Sequence, residues 1–324
     1  MSKFESIIAP LIERFIAFKK ASDHWNESSY EPNILLFDRY CKRNYPNDSI
    51  LSQEMVNGWC QQRETESSNS HRQRIYVIAT FIKYLRARKL TTVEPPYLSP
   101  LVKTGYIPHA FTEEELRRFF DACDNITGNR TQEQRIRKIT LPVFFRLLYS
   151  SGIRTTEARL LRVQDVDLES GVLDIKLTKG YNQHYVVLHD TMLSLMRKYD
   201  NAINEIFPGR IYFFPSRTNS YHTRNWVQAN FQKLWKSVNT SYATTYELRH
   251  NYAIENINKW INCGMEFNTK FLYLSKSMGH SVFESTKYYY SLVPRLADII
   301  EQNTNISFEA IIPDINNKNN EKNK

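Results

Sequence analysis

The segment SSGIRTTEARLLRVQDVD sets Arg154 after a glycine and just before the first turn of a helix. An arginine there presents its guanidinium fork beside free backbone N–H groups, which together cradle an anion. TKGYNQHYVVL puts Lys179 at a hairpin tip, where an ammonium can swing toward a ligand held by the rest of the domain. TTYELRHNYAI places Arg249 one step before His250 on an amphipathic helix, and SKSMGHS carries Gly279 and His280 at a helix end or turn. Three consecutive tyrosines follow, Tyr288, Tyr289 and Tyr290. Helical neighbours point about 100° apart, so at least one of these phenols faces away from the core. Taken alone, each feature reads more readily as a surface arginine, a solvated turn lysine, a packing histidine or an aromatic packer. Their order and spacing are what set them apart.

Bulk composition narrows the setting. The chain has 324 residues, enough for two domains with separate cores, and 41% hydrophobic and 13% aromatic content fits a globular protein. A formal net charge of +9 favours a polyanionic partner, nucleic acid before an anionic membrane. No apolar run reaches the roughly 18 residues of a membrane span, and the N-terminus lacks the order of a signal peptide. Cys41, Cys60, Cys123 and Cys263 are scattered without a C-x-x-C pair, so reduced thiols, a cytoplasmic setting and no structural zinc are expected.

The elements that would position the site are mainly helical. Apolar residues at Phe4, Ile7, Ile8, Leu11, Ile12, Phe15 and Ile16 give residues 1–20 a helical period. Further helices are expected across ILLFDRYCKRNYP, LSQEMVNGWCQQ and HRQRIYVIATFIKYLRARK. The last carries Arg72, Arg74, Lys83 and Arg86, which read either as a DNA-facing set or as a solvated polar face. TTVEPPYLSPLVKTGYIP, with four prolines, is expected to be a linker. After it, Thr112 and Glu115 form a capping box, and EQRIRKITLPVFFRLLYSSG is a buried helix closed by Gly152. A short helix capped by Thr155 or Thr156 follows, then a β-hairpin around KGYNQ and helices near 191–206, 223–238 and 245–260. A short strand is expected at IYFF, and the polar residues 311–324 as a disordered tail.

Taken in order, the motifs resemble the boxes of the tyrosine recombinases, or phage-type integrases. The family's first box is similar to GIRTTEARLLRVQDVD, matching at Gly152, Arg154, Glu157, Leu161, Asp165 and Asp167. Its hairpin Lys-Gly resembles Lys179–Gly180, its His-x-Leu-Arg-His box resembles YELRH at 246–250, and its Leu-Gly-His box resembles MGH at 278–280. The family's nucleophilic tyrosine lies nine residues beyond that histidine, which here is Tyr289. Two positions depart from the pattern. Tyr246 stands where histidine is usual, and His184 stands where arginine is frequent. A phenol still donates a hydrogen bond to phosphate but offers no cation near neutral pH.

The resemblance implies a helical core-binding domain over residues 1–95, a linker over 96–111 and a mostly helical catalytic domain with a small antiparallel sheet over 112–310. It implies cutting and rejoining of double-stranded DNA through a 3′-phosphotyrosyl intermediate. Arg154 and Arg249 would clamp the phosphate, Tyr289 attack it, Lys179 protonate the leaving 5′ oxygen, His280 assist and Glu157 orient Arg154. No metal or other cofactor is expected, and a homotetramer on paired sites is. Integration or excision of a mobile element is favoured over dimer resolution, whose proteins keep the usual histidine. A type IB topoisomerase and a catalytically weakened DNA-binding accessory protein are the alternatives.

Overall fold

The computed structural model describes residues 3–22, 27–102, 108–176, 183–260 and 267–279. The chain divides into two compact units, Met1–Tyr106 and Ile107–Lys324. No helix among the described residues is long and apolar enough to cross a membrane.

Unit 1 is built from α1 (Ala9–Ala21), α2 (Glu27–Asn44), α3 (Gln53–Cys60) and α4 (Ser68–Ala87). Ile12, Phe15, Ile34, Phe37, Val56 and Phe81 form its core. The first helix starts later than the apolar period suggests. Buried Asp38 on α2 accepts hydrogen bonds from the Glu5 N–H (2.8 Å), the Ser6 N–H (3.1 Å) and the Ser6 hydroxyl (2.5 Å). These bonds hold the entry segment non-helical, so Phe4 and Ile8 reach the core from outside the helix. The expected linker is tied to this unit over its first half. The Asn69 side-chain amide pairs both ways with the Val102 backbone (2.7 and 3.0 Å). Gln53 does the same with Glu94 (2.8 and 3.3 Å).

Unit 2 holds α5 (Glu113–Asp124), α6 (Gln132–Ser151), α7 (Thr155–Leu160), α8 (Asp190–Ile206), α9 (Arg224–Val238), α10 (Thr245–Trp260) and α11 (Phe267–Ser277). A sheet of β1 (Val166–Asp167), β2 (Val172–Ile175) and β3 (His184–Val187) runs antiparallel in that order. The hairpin register pairs Val172 with Val187 and Ile175 with His184. Phe119, Phe144, Phe145, Phe214, Phe231 and Trp235 fill the core, and α6 packs against α5, α8 and α10. Thr112 and Glu115 cap α5 reciprocally, as the sequence predicts.

Two local expectations need correction, and one strand lies outside them. Neither Thr155 nor Thr156 caps α7; Arg154 occupies that position and Glu157 accepts its N–H. The IYFF segment makes no strand but a single bridge between Tyr212 and Arg162, because Gly209 and Pro215 bracket it and both Phe213 and Phe214 are buried. Val166–Asp167, not anticipated, supplies the third strand.

Candidate active site

The site begins where α6 stops. Gly152 ends that helix in the left-handed region at φ +65°, with its N–H donating to the Leu148 carbonyl (3.1 Å). A Cβ there would meet the Tyr252 ring at 2.2 Å, so conformation and space both demand glycine. Ile153 is buried, and Arg154 then opens α7. Glu157, one turn on, is buried and holds Arg154 twice. One carboxylate oxygen accepts the backbone N–H at 2.7 Å, the other accepts Nη1 at 2.5 Å. A single carboxylate thereby fixes both the start of α7 and the aim of the guanidinium, whose side chain remains 20% exposed.

Arg249 reaches the same place from α10. Glu247 caps the start of that helix by accepting the Thr244 N–H and hydroxyl. Arg249 is 2% exposed and donates to the Gly152 carbonyl (2.5 Å) and the Met278 carbonyl (2.8 Å). Arg154 Nη2 donates to the next carbonyl, that of Gly279, at 2.9 Å. Two arginines distant in sequence thus grip consecutive carbonyls of the turn after α11, immediately before His280. Gly279 closes that turn at φ +62°. A Cβ on it would lie 2.5 Å from the His184 ring. Alternation along β3 points His184 inward with Val186, which seats the hairpin against the turn.

Tyr246 and His250, one turn apart on α10, meet edge to face with ring centroids 4.8 Å apart. Tyr246 is 47% exposed, whereas His250 is buried. Burial, then the charge of Arg249, pushes His250 down to a pKa of about 4, so its imidazole is neutral at physiological pH. Lys176, at the end of β2, is exposed and pairs with Asp165 (2.6 Å) and Asp174 (3.2 Å).

Of the residues singled out from sequence, Arg154, Glu157 and Arg249 are brought together, and Tyr246 sits on the first turn of the helix that carries Arg249. Lys179, His280 and Tyr289 lie outside the described residues. Two positioning contacts escaped sequence reasoning: His184 against Gly279, and Tyr252 against Gly152. The inward phase of His184 in HYVV was the available signal for the first.

In unit 1, Arg74 is not a DNA-facing residue. It is 5% exposed, forms a bidentate pair with Glu66 (2.8 Å each) and donates to the carbonyls of Trp59 and Gln61. Its position on the core side of α4, not its charge, decides its role. Lys83 is exposed, Arg86 is exposed and pairs with Glu94, and Arg72 is half-buried.

The sequence model of the phage integrase family matches residues 109–294. The chain is 24% identical to the putative integrase/recombinase y4rE of Sinorhizobium fredii, covering 89% of this chain and 93% of that protein. It is 23% identical to the tyrosine recombinase XerD of Rickettsia bellii, over 76% of this chain and 83% of the other. Its fold is similar to that of the Tn1549 transposon integrase solved with transposon right-end DNA (TM-score 0.59, 14% identity), covering 93% of this chain and 100% of that one. It is also similar to lambda integrase bound to DNA (TM-score 0.59, 15% identity, 91% and 98% covered). The glycine-arginine turn, the two convergent arginines and the family match agree: the chain belongs to the phage integrase family and is a site-specific tyrosine recombinase.

Proposed function

We infer that this protein cuts and rejoins double-stranded DNA through a covalent 3′-phosphotyrosyl intermediate. The observation that carries this is the convergence of Arg154 and Arg249 on the Met278–Gly279 turn, one residue before His280. Attack on a phosphodiester builds negative charge on the non-bridging oxygens, and guanidinium groups fixed in advance stabilise that charge without reorganising. Tyr289 loses its phenolic proton to solvent as its oxygen attacks phosphorus, and the bond from phosphorus to the 5′ oxygen breaks. Lys179 gives that oxygen a proton, while His280 donates to the phosphate. Glu157 acts as a positioning residue through its double hold on Arg154. Reversal by a 5′ hydroxyl from a second site completes strand exchange, and four copies on paired sites complete two exchanges. Tyr246 offers a neutral donor where a histidine would offer a cation.

Integration or excision of a mobile element is the biological event proposed. Support comes from the departure at Tyr246 and from the likeness in fold to a transposon integrase. A nicked suicide duplex carrying the native site tests the chemistry. Wild type should leave a protein–DNA adduct on a denaturing gel, and Tyr289→Phe should leave none. An adduct that survives in the variant moves the nucleophile to Tyr288 or Tyr290. Absence of adduct from wild type on DNA that it binds overturns the catalytic reading in favour of an accessory DNA-binding role.

A further inference from the structure

Arg159 lies on α7, five residues past Arg154 and outside the site described above. Its side chain is 8% exposed, Nη1 donates to the His222 carbonyl, and the guanidinium carbon lies 5.6 Å from the Tyr221 ring centroid. Nε is buried with no hydrogen-bond partner, and no carboxylate pairs with this arginine among the described residues. A charge beside it is a second cation, Arg224, the first residue of α9. A buried guanidinium without a counter-charge is costly, and an anion arriving from outside would offset that cost. His222 beside it is 3% exposed, stacks on Trp226 at 3.5 Å and also leaves Nε2 without a partner.

His222 lines a cleft of about 270 Å³ with Ser216, Arg217, Thr218, Thr223 and Glu133. Thr223 caps the fifteen-residue α9, accepting the Trp226 N–H at 3.1 Å, so the positive end of the helix opens onto the cleft. Glu133 stands on the α6 side and repels an anion, which assigns the ligand to the α9 side. We propose that Arg159, His222 and the head of α9 with Arg224 hold a hydrated backbone phosphate of duplex DNA, away from the bond that is cut. A phosphate supplies the missing charge to Arg159, and a water in its shell supplies a donor to His222. The DNA source of that phosphate rests on the proposed function; the anion site itself does not.

The test uses the full chain as wild type, Arg159→Gln and Arg224→Gln. On the native duplex each variant should weaken binding roughly 5- to 20-fold near 0.1 M salt and lower the slope of log K against log salt by about 1. In parallel, inorganic phosphate should raise the melting temperature of wild type above that in chloride at equal ionic strength, and do so much less for Arg159→Gln. Arg224 is exposed, so its variant reads the slope even where Arg159→Gln fails to fold. Phosphate stabilisation with unchanged salt slopes would make this a free-anion site and overturn the DNA source. Unchanged slopes and no phosphate effect would overturn the site. Wild type that binds no duplex would sink the proposed function, leaving the phosphate comparison to decide the anion site alone.

Discussion

Gly279 concentrates the demands of the site in one residue. Its carbonyl accepts from Arg154, its φ is left-handed, and the face a side chain would occupy is filled by His184. Gly279→Ala therefore meets two separate costs. Alanine in that backbone region costs about 1–2 kcal/mol, and the methyl collides with an imidazole that has little room to retreat. Stability by urea unfolding should fall by about 2–3 kcal/mol, and adduct formation on nicked DNA should slow at least tenfold as the arginine-held turn shifts. Adding His184→Ala should recover the collision but not the backbone cost, giving a coupling of about 1 kcal/mol. Strict additivity of the two substitutions would show that His184 does not press on the turn.

At the scale of elements, two buried histidines and one half-buried glutamate contribute to how stability follows pH. Burial and the adjacent arginines, Arg249 and Arg159, push His250 and His222 each down to about 4. The unfolded chain takes up these protons below pH 6.5 while the folded chain refuses them until about pH 4, so stability declines across that window as pH falls. The decline amounts to about 3 kcal/mol for each group. Glu115 acts in a lower window. Burial raises its pKa, but hydrogen bonds from the Ser241 hydroxyl, the Thr112 N–H and His109 outweigh that and bring it to about 2. Its folded pKa is depressed, so its contribution is full above pH 4.5 and is lost as pH falls toward 2. Urea midpoints of His250→Asn should show a shallower slope between pH 6.5 and 4 and leave the lower window intact. Glu115→Gln should do the converse while losing stability at pH 7. A His250→Asn profile parallel to wild type would mean that this imidazole is protonated in the fold. The α5 cap that Glu115 builds was legible because T-E-E-E is a local signal. So were Gly152, the hairpin and the long helices, whose periods of 3.6 and 2 are local as well. The late start of α1 was not, since it depends on Asp38, thirty-odd residues away in sequence. Nor was the burial of Arg74, which the phase of α4 sets once Glu66 folds back onto it. Segments whose shape is fixed by distant partners carry no pattern of their own, and IYFF and Val166–Asp167 belong with them.

The whole molecule consists of two units with separate cores, and that division can be put to work. In unit 1 the segment after α4 is a bound strap: Val93 is buried in the core, and the Gln53 and Asn69 amides each pair with backbone as a neighbouring strand would. A fragment of residues 1–102 should melt cooperatively, whereas 1–91 should lose about 3–5 kcal/mol through the lost burial of Val93 and four exposed hydrogen bonds worth about 0.5 kcal/mol each. Equal melting of the two fragments would place the domain boundary before the strap. Every residue proposed for the chemistry, from Arg154 to Tyr289, belongs to unit 2. Residues 108–324 should then fold alone and still form the covalent adduct on nicked DNA. A higher DNA concentration requirement than that of the full chain would show that unit 1 adds affinity without taking part in bond cleavage. If the isolated unit 2 folds, binds the duplex and yet forms no adduct at any DNA concentration, unit 1 supplies a group to the reaction itself. Its exposed Lys83, or Arg86 released from Glu94, would be the first to replace.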